Sequence, residues 1–182
     1  MNYTPILETD RLIIRPMTLD DVEGHFSMDS QPEVHTYLKA EPLQKIEESE
    51  KMIESIQIQY KNFGVGRVAV IEKESGEFIG WTGFKFIEEK EAINNQFGFL
   101  DFGYRYKKEA WGKGYATEAA KACMDYYWKE MTHFKLNALT HIENKASRNV
   151  LEKIGFEVTE TFIFDLWEID CFWYELKSGI KF

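Results

Sequence analysis

The order of apolar and polar positions predicts strands and helices along the first half of the chain. Short apolar runs bounded by turn residues are typical of strands, and apolar residues at helical spacing are typical of amphipathic helices. In order, the predicted elements are a strand at Arg11–Pro16, a helix capped by Thr18 and ending near Met28, a loop over residues 31–44, a helix at Gln44–Tyr60, and strands at Arg67–Glu72 and Phe78–Ile87.

The next apolar segment, Phe97–Tyr106, predicts a strand whose alternation is imperfect. Phe97 and Phe99 share one phase, whereas Phe102, Tyr104 and Tyr106 share the other. One extra residue near Asp101 would bring the two phases into register, so we expect a β-bulge at this position. The alternative is that the strand phase is misassigned.

The remaining pattern predicts a strand–helix–strand arrangement that implies parallel pairing in the middle of a mixed sheet. The helix over 115–131 has a predicted buried stripe of Ala116, Ala120, Cys123, Tyr127 and Met131. After it we expect a strand at Lys135–His141, a short helix ending at Gly155, and strands near Phe156–Phe162 and Asp170–Leu176.

Length and composition indicate one compact domain covering residues 1–182, because 44% of the 182 residues are hydrophobic and the sequence has no shift in composition. No run of about 18 apolar residues occurs, and the N-terminal residues carry acids early, so we expect neither a spanning helix nor a signal peptide. Cys123 and Cys171 do not make a disulfide framework, and a reduced, cytoplasmic setting is expected.

The formal net charge of −9 argues against a nucleic-acid partner, which would require a basic face. It is compatible with a cationic substrate such as an amine, or simply with a well-solvated surface. No group of His, Cys and Asp residues has metal-ligand spacing, and no metal is expected.

The stretch EAWGKGYATEA, residues 109–119, brings two glycines to the predicted start of a long helix. A Walker loop fails because Gly114 follows Lys113, and a dinucleotide fingerprint fails because position 117 is threonine. A glycine loop before a helix can hold an anion on free backbone amides, or it can merely turn the chain.

Four segments in order resemble the GNAT superfamily of acyl-CoA-dependent N-acyltransferases, and within it the RimJ/RimL-like branch. These segments are ETDRLIIRPMTLDD, FIGWTGF, GYRYKKEAWGKGYATEA and ENKASRNVLEKIGF. The resemblance implies an α+β (mixed α/β) fold: a mixed, mostly antiparallel sheet of about seven strands with a splayed parallel pair, flanked by about four helices.

The resemblance also implies how acetyl-CoA is bound as acyl donor. The superfamily segment [QR]-x-x-G-x-[GA] aligns with Trp111, Gly114 and Ala116, where Trp111 replaces the usual Arg or Gln. Backbone contacts to pantetheine are expected from the preceding strand, and amides of the loop are expected to hold the pyrophosphate. The implied donor-binding residues are Tyr104, Arg105, Tyr106, Trp111, Gly112, Lys113, Gly114, Tyr115, Ala116, Thr117 and Asn144.

Two residues are the candidate catalytic groups. The family places a serine equivalent to Ser147 near the CoA sulfur, where it would act as acid; its alternative role is helix capping. Asp101 is the candidate base, through water, or else a structural residue. Asn144 would contact pantetheine or form an Asx turn. Weaker candidates for the base are Glu143, Glu109, His133 and His141, and several enzymes of this superfamily use waters instead.

The acceptor pocket is expected between Gln31–Phe63 and the C-terminal hairpin Phe162–Trp173. Trp81, Trp167 and Trp173 either line it or fill the core. The branch resemblance suggests a protein N-terminal α-amine as acceptor, attacked directly in a ternary complex. A small amine or polyamine, and a non-catalytic acyl-CoA-binding module, are the alternatives, and either a monomer or a homodimer is compatible with the sequence.

Overall fold

A computed structural model describes residues 5–166 and 168–177. Along the chain, its strands and α-helices are β1 Leu7–Glu8, β2 Leu12–Pro16, α1 Val22–Asp29, α2 Ile46–Phe63, β3 Arg67–Glu72, β4 Phe78–Ile87, β5 Phe99–Tyr106, α3 Tyr115–Glu130, β6 Leu136–His141, α4 Lys145–Lys153, β7 Phe156–Phe164 and β8 Ile169–Leu176.

The strands form one sheet in the order β1-β2-β3-β4-β5-β6-β8-β7. Every neighbouring pair is antiparallel except β5 and β6, which pair in parallel at Leu100–Leu136 and Asp101–Asn137 and then diverge. The predicted fold class is confirmed, including the splayed parallel pair and the four helices. The additional strand is β1, which is only two residues long.

The predicted β-bulge near Asp101 is wrong. Strand β5 pairs with β4 in one unbroken register from Gly80–Tyr106 to Ile87–Phe99. The strand begins at Phe99 because Gly98, with φ +75°, turns the chain before it, and Phe97 lies outside it with 54% of its surface exposed. Phe99 and Phe102 point to opposite faces of a sheet that is covered on both sides, so two apolar phases need no inserted residue.

Helices cover both faces of the sheet. On one face, α3 packs its buried stripe against apolar residues of β5, including Leu100, Phe102 and Tyr106. On the other face, Met28 of α1 and Ile53 of α2 form a separate apolar cluster with residues of β3 and β4. Strand β5 is therefore central, with one set of side chains under α3 and the other toward α1.

The predicted loop at residues 31–44 contains a short 3-10 turn, Pro32–His35. A second short 3-10 turn, Glu89–Glu91, lies between β4 and β5. Ala116 of the predicted stripe is half-buried, whereas its other four members are buried. Within the described ranges, no helix is long and apolar enough to cross a bilayer.

Candidate active site

The loop between β5 and α3 presents free backbone amides at the start of the helix. Gly112 and Gly114 have φ values of +73° and +83°, a region that favours glycine. The first helical hydrogen bond runs from the Glu118 amide to the Gly114 carbonyl at 3.0 Å. The amides of residues 115–117 precede that bond, so they have no partner within the helix, and the positive end of the helix dipole favours an anion beside them.

Arg11 fixes this loop to the sheet. Its Nη1 donates to the Lys113 carbonyl at 3.0 Å, and its Nη2 lies 2.6 Å from the Glu118 carboxylate. The guanidinium also lies 4.5 Å from the centre of the Tyr115 ring. One side chain therefore holds both the Lys113 carbonyl of the loop and Glu118 in the first turn of α3.

Both the backbone amide and the indole of Trp111 form hydrogen bonds within the protein. Its amide donates to the Lys108 carbonyl at 3.1 Å, so the amides still available run from Gly112 to Thr117. Its indole Nε1 donates to the Tyr106 carbonyl at 2.9 Å, while 48% of its surface stays exposed. The indole thus occupies the Tyr106 carbonyl at the last residue of the β5 edge that faces β6.

That edge of β5 is open beyond its last paired residue. The Leu100 amide donates to the Lys135 carbonyl at 2.9 Å. Backbone groups alternate along a strand, so those of Tyr104 and Tyr106 face the same edge, past the point where pairing with β6 ends. Arg105, which pairs with Trp81, directs its backbone to β4 instead. The divergence of β5 and β6 therefore leaves the backbone groups of Tyr104 and Tyr106 without a partner strand among the described residues.

Asn144 and Ser147 lie at the start of α4, across the gap from β5. The Asn144 side chain caps the helix by accepting the Ser147 amide at 3.1 Å. The Tyr104 hydroxyl of β5 donates to the Ser147 carbonyl at 2.8 Å and lies 3.0 Å from Ser147 Oγ. Burial raises the pKa of Tyr104, so the phenol stays neutral. The two sides of the splayed pair are joined through these hydroxyls.

Asp101 is held in a buried ion pair with Arg67. Arg67 Nη2 bonds the carboxylate, and Nη1 bonds the backbone carbonyls of Asp101 and Gly83. Burial raises the pKa of Asp101, and the adjacent guanidinium opposes that rise. This arrangement supports the structural alternative for Asp101.

Gly103 lets Arg67 reach this position. A Cβ at residue 103 would lie 2.8 Å from Arg67 Nη2, closer than the two groups can approach. The missing side chain leaves a path across β5 to Asp101. Thirty-four residues separate Arg67 from Asp101, so only the arrangement of the strands brings them together.

Arg105 and Trp81 extend this polar cluster toward α1. Arg105 Nη1 lies 2.9 and 3.0 Å from the two carboxylate oxygens of Asp29, which is 1% exposed. The Arg67 and Arg105 guanidinium groups lie 5.3 and 5.4 Å from the Trp81 ring centre. His25, whose pKa is lowered by burial, lies 3.8 Å from Asp29. Sequence reasoning missed this cluster, and its only signal was several charged residues inside apolar segments.

The weaker candidates for the base are engaged or exposed. Glu109 accepts from Gln31 Nε2 at 3.1 Å, and Glu143 is exposed. His141 Nδ1 accepts the Glu143 amide at 3.1 Å. His133 is exposed and packs against Phe134, with ring centres 4.2 Å apart.

The two segments expected to build the acceptor pocket do meet. Lys39 Nζ donates to the Glu168 carbonyl at the tip of the β7–β8 hairpin, at 2.8 Å. The Tyr37 ring lies 5.5 Å from that of His141 at the end of β6. Trp173 is buried in a small core cluster, Trp81 is half-buried between the arginines, and Trp167 lies outside the described residues.

Comparison with known proteins identifies the family. Residues 11–157 match the acetyltransferase (GNAT) domain. The chain is 34% identical to the uncharacterized protein YkkB of Bacillus subtilis, over 98% of this chain and 99% of that protein.

Two further similarities point the same way. The uncharacterized N-acetyltransferase YoaA of Bacillus subtilis is 31% identical, over 84% of this chain and 83% of that one. A GnaT-family acetyltransferase structure from Bordetella pertussis has a TM-score of 0.80 at 19% identity, covering 95% of this chain and 99% of its own. The chain therefore belongs to the GNAT acetyltransferase family and is an N-acetyltransferase.

Proposed function

We propose that the protein transfers an acetyl group from acetyl-CoA to a primary amine, by direct attack in a ternary complex, and that the amine is a protein N-terminal α-amine. The observation that carries the proposal is the open edge of β5, which lies between the amides of the glycine loop and Ser147 on α4. An extended ligand can pair with such an edge in the way an added strand does.

Acetyl-CoA fits each part of this surface. Its pyrophosphate would lie on the amides of residues 112–117, and its pantetheine along the backbone of Tyr104 and Tyr106. Two neighbours with this fold were solved with such ligands: the Microcin C7 self-immunity acetyltransferase MccE with acetyl-CoA and AMP, at TM-score 0.74, and the Vibrio cholerae spermidine N-acetyltransferase with CoA and spermine, at TM-score 0.71.

In the reaction, the neutral amine nitrogen attacks the thioester carbonyl carbon and forms the amide bond. The C–S bond then breaks, and CoA leaves with the bonding electron pair as its thiolate. The extra proton of the amine passes to water or to the thiolate. No oxidant or reductant is needed, so the balance requires only the two substrates.

The ion pair at Asp101 bears on the choice of amine. An alkyl amine with a pKa near ~10.4 is less than ~0.1% neutral at pH 7, whereas an α-amine with a pKa of ~7.7–8.0 is roughly one-tenth neutral. The Asp101 carboxylate is already engaged by Arg67 in a buried ion pair, which leaves it poorly placed to take a proton from an incoming amine. An acceptor that is already partly neutral therefore suits this site better than an alkyl amine.

The arginines support the same choice. Arg105 and Arg67 lie on the face of β5 toward α1, with Asp29 and Asp101 each engaged by one of them. Arg105 has N–H donors besides the Nη1 group that Asp29 engages, and a peptide offers carbonyl oxygens that such donors can bind, whereas a protonated polyamine offers only donors. Structures that share the fold include a ribosomal-protein-S5-alanine acetyltransferase from Vibrio fischeri, at TM-score 0.75 and 16% identity.

A polyamine is the second candidate acceptor, on two observations. The spermidine N(1)-acetyltransferase of Escherichia coli is 29% identical over 80% of this chain and 72% of its own length. The net charge of −9 also attracts cations at long range.

The test is thiol release from acetyl-CoA across a matched panel of amines. A peptide with a free N-terminus is compared with the same peptide blocked at the N-terminus but carrying one lysine, and with spermidine. We expect release with the free N-terminus, with kcat/KM rising with pH and levelling near the α-amine pKa of about 8. A preference for spermidine would select the second candidate.

If none of these amines gives thiol release, the catalytic proposal is overturned. Calorimetry with CoA then distinguishes the remaining possibilities, because tight binding without turnover is the behaviour of a non-catalytic acyl-CoA-binding module.

A further inference from the structure

We infer that Tyr104 is a positioning residue for catalysis, which holds the Ser147 hydroxyl where it can turn to stabilise the leaving thiolate of CoA. This inference rests on the proposed function and assigns the Tyr104 side chain a role in addition to the backbone contacts expected of this residue. It is carried by the contact between two elements on opposite sides of the splayed strands.

The geometry fixes which group donates to which. A carbonyl oxygen only accepts, so the 2.8 Å contact uses the Tyr104 proton to bond the Ser147 carbonyl. That phenol has one proton, so the 3.0 Å contact between the hydroxyls is made by the Ser147 proton. Tyr104 thus anchors α4 through its backbone and holds the serine hydroxyl in a defined rotamer.

Leaving-group chemistry gives this pair its use. A thiol with a pKa of roughly 8.5 leaves as a thiolate near neutral pH, and a hydrogen bond to that charge is sufficient stabilisation. When the C–S bond breaks, the Ser147 hydroxyl turns toward sulfur, and the Tyr104 hydroxyl turns from the carbonyl to Ser147 Oγ. Each hydroxyl then polarises the next. Neither loses its proton, and the thiolate takes its proton from the amine or water.

Burial favours this arrangement over an acid role for the phenol. Tyr104 lies between β5 and α4 in surroundings that raise its pKa, so loss of its proton would leave a charged phenolate away from water. A neutral, buried hydroxyl that contacts both the carbonyl and the Oγ of Ser147 is suited to orienting Ser147. It is not suited to supplying a proton.

The test measures the pKa of the bound CoA thiol, by titrating thiolate absorbance of the complex. We expect Tyr104→Phe to raise this pKa by about 0.5–1 unit and to lower kcat about 5-fold, with the KM for acetyl-CoA changed less than about 2-fold. Ser147→Ala should raise the same pKa and lower kcat by about 10- to 100-fold, because it removes a hydrogen bond to a charged group. The double variant should be no slower than Ser147→Ala, because Tyr104 acts through the serine.

Tyr127→Phe is the matched control. It also removes a phenol hydroxyl that donates to a backbone carbonyl, at Phe134 and 2.7 Å, but on the far part of α3, so the thiol pKa should stay unchanged. An unchanged thiol pKa in Tyr104→Phe, or rate losses that simply add in the double variant, would overturn the inference. If Tyr104→Phe does not fold, an unchanged thiol pKa in Ser147→Ala overturns it instead. Absence of CoA binding by the wild type would count against the proposed function.

Discussion

The two faces of strand β5 differ in the chemistry of their side chains, although the residues alternate along one strand. Toward α3 and α4, Tyr104 and Tyr106 contribute phenol rings while their backbone groups face the open edge. Toward α1, Asp101 and Arg105 lie in ion pairs on either side of Gly103. The side toward α3 and α4 offers neutral hydroxyls together with the backbone polar groups of the open edge. The side toward α1 holds buried charges.

This difference determines what each face tolerates. The side of β5 that would bind the acyl donor, with Tyr104, Tyr106 and the glycine loop, is called the donor face. Backbone amides remain when a side chain changes, so the donor face is sensitive mainly to added bulk, added charge and loss of the Tyr104 hydroxyl. A buried charge needs its partner, because removing one member leaves the other uncompensated. The face toward α1 should therefore respond most strongly in stability, and the donor face in kinetic parameters.

The largest effect is expected from Arg67→Leu, which leaves the Asp101 carboxylate buried without its partner. We expect the free energy of unfolding at pH 7 to fall by about 3–5 kcal/mol, measured by urea denaturation. Without Arg67, the folded pKa of Asp101 rises further above its unfolded value. The folded state then binds more protons, so the deficit should shrink as the pH falls toward the unfolded pKa of about 4.

The double variant Arg67→Leu/Asp101→Leu controls for that explanation. Removing both charges should recover much of the lost stability and abolish the pH dependence. A single variant as stable as the wild type would show that the ion pair is not what holds this face together.

Gly114→Glu tests the donor face. A carboxylate beside the amides of residues 112–117 should repel pyrophosphate and raise the KM for acetyl-CoA by about 50-fold, with a smaller change in kcat. The left-handed backbone also adds strain of roughly 1–2 kcal/mol, so steady-state kinetics must be compared with a control for strain.

Gly98→Glu supplies that control. Gly98 also has a positive φ, of +75°, and a Cβ added there would meet nothing within 4 Å, but it precedes the opposite end of β5. Its substitution should cost similar stability and leave the KM for acetyl-CoA unchanged. Equal KM values for the two variants would contradict the anion site.

The smallest effect is expected from Asn144→Ala. Loss of the cap on the Ser147 amide should lower the free energy of unfolding by about 1 kcal/mol, seen by urea denaturation. Asn144→Asp keeps an accepting oxygen at the cap and should restore stability to within a few tenths of a kcal/mol. A rise in the KM for acetyl-CoA in Asn144→Ala alone would add a donor contact to the capping role, whereas equal stability of the two variants would rule out the cap.

Most of the fold could be predicted from the sequence because the local signals were unambiguous. Strand β4 has the predicted bounds, and glycine, proline and capping residues mark most of the other element boundaries to within two residues. The prediction of a bulge was wrong for a physical reason. Alternation of apolar and polar residues is expected for a strand with one buried face, whereas both faces of β5 are buried. Phe99 packs with Trp173 on one side, while Phe102 packs with Phe84 and α3 on the other.

Only part of the candidate site could be predicted from the sequence. The glycine loop and the start of α4 are contiguous segments, so their patterns could be recognised. Arg67, Asp101, Trp81 and Asp29 come from four separate elements, and Tyr104 meets Ser147 across a gap between strands. Contacts of this kind follow from sheet order and register, which no single segment encodes.

The sheet has a weakly paired boundary between β5 and β6, which we call the seam. Strand β5 pairs with β4 along its whole length, and most residues of β6 pair with β8. In contrast, β5 pairs with β6 only at Leu100 and Asp101. Opening between the two blocks of strands therefore breaks few backbone hydrogen bonds, but it must separate the apolar cluster to which both blocks contribute. Under the proposed function, a donor seated along this seam would raise the cost of opening by about 2.7 kcal/mol at a hundredfold excess over its Kd. The supply of acyl donor then sets how often the molecule opens.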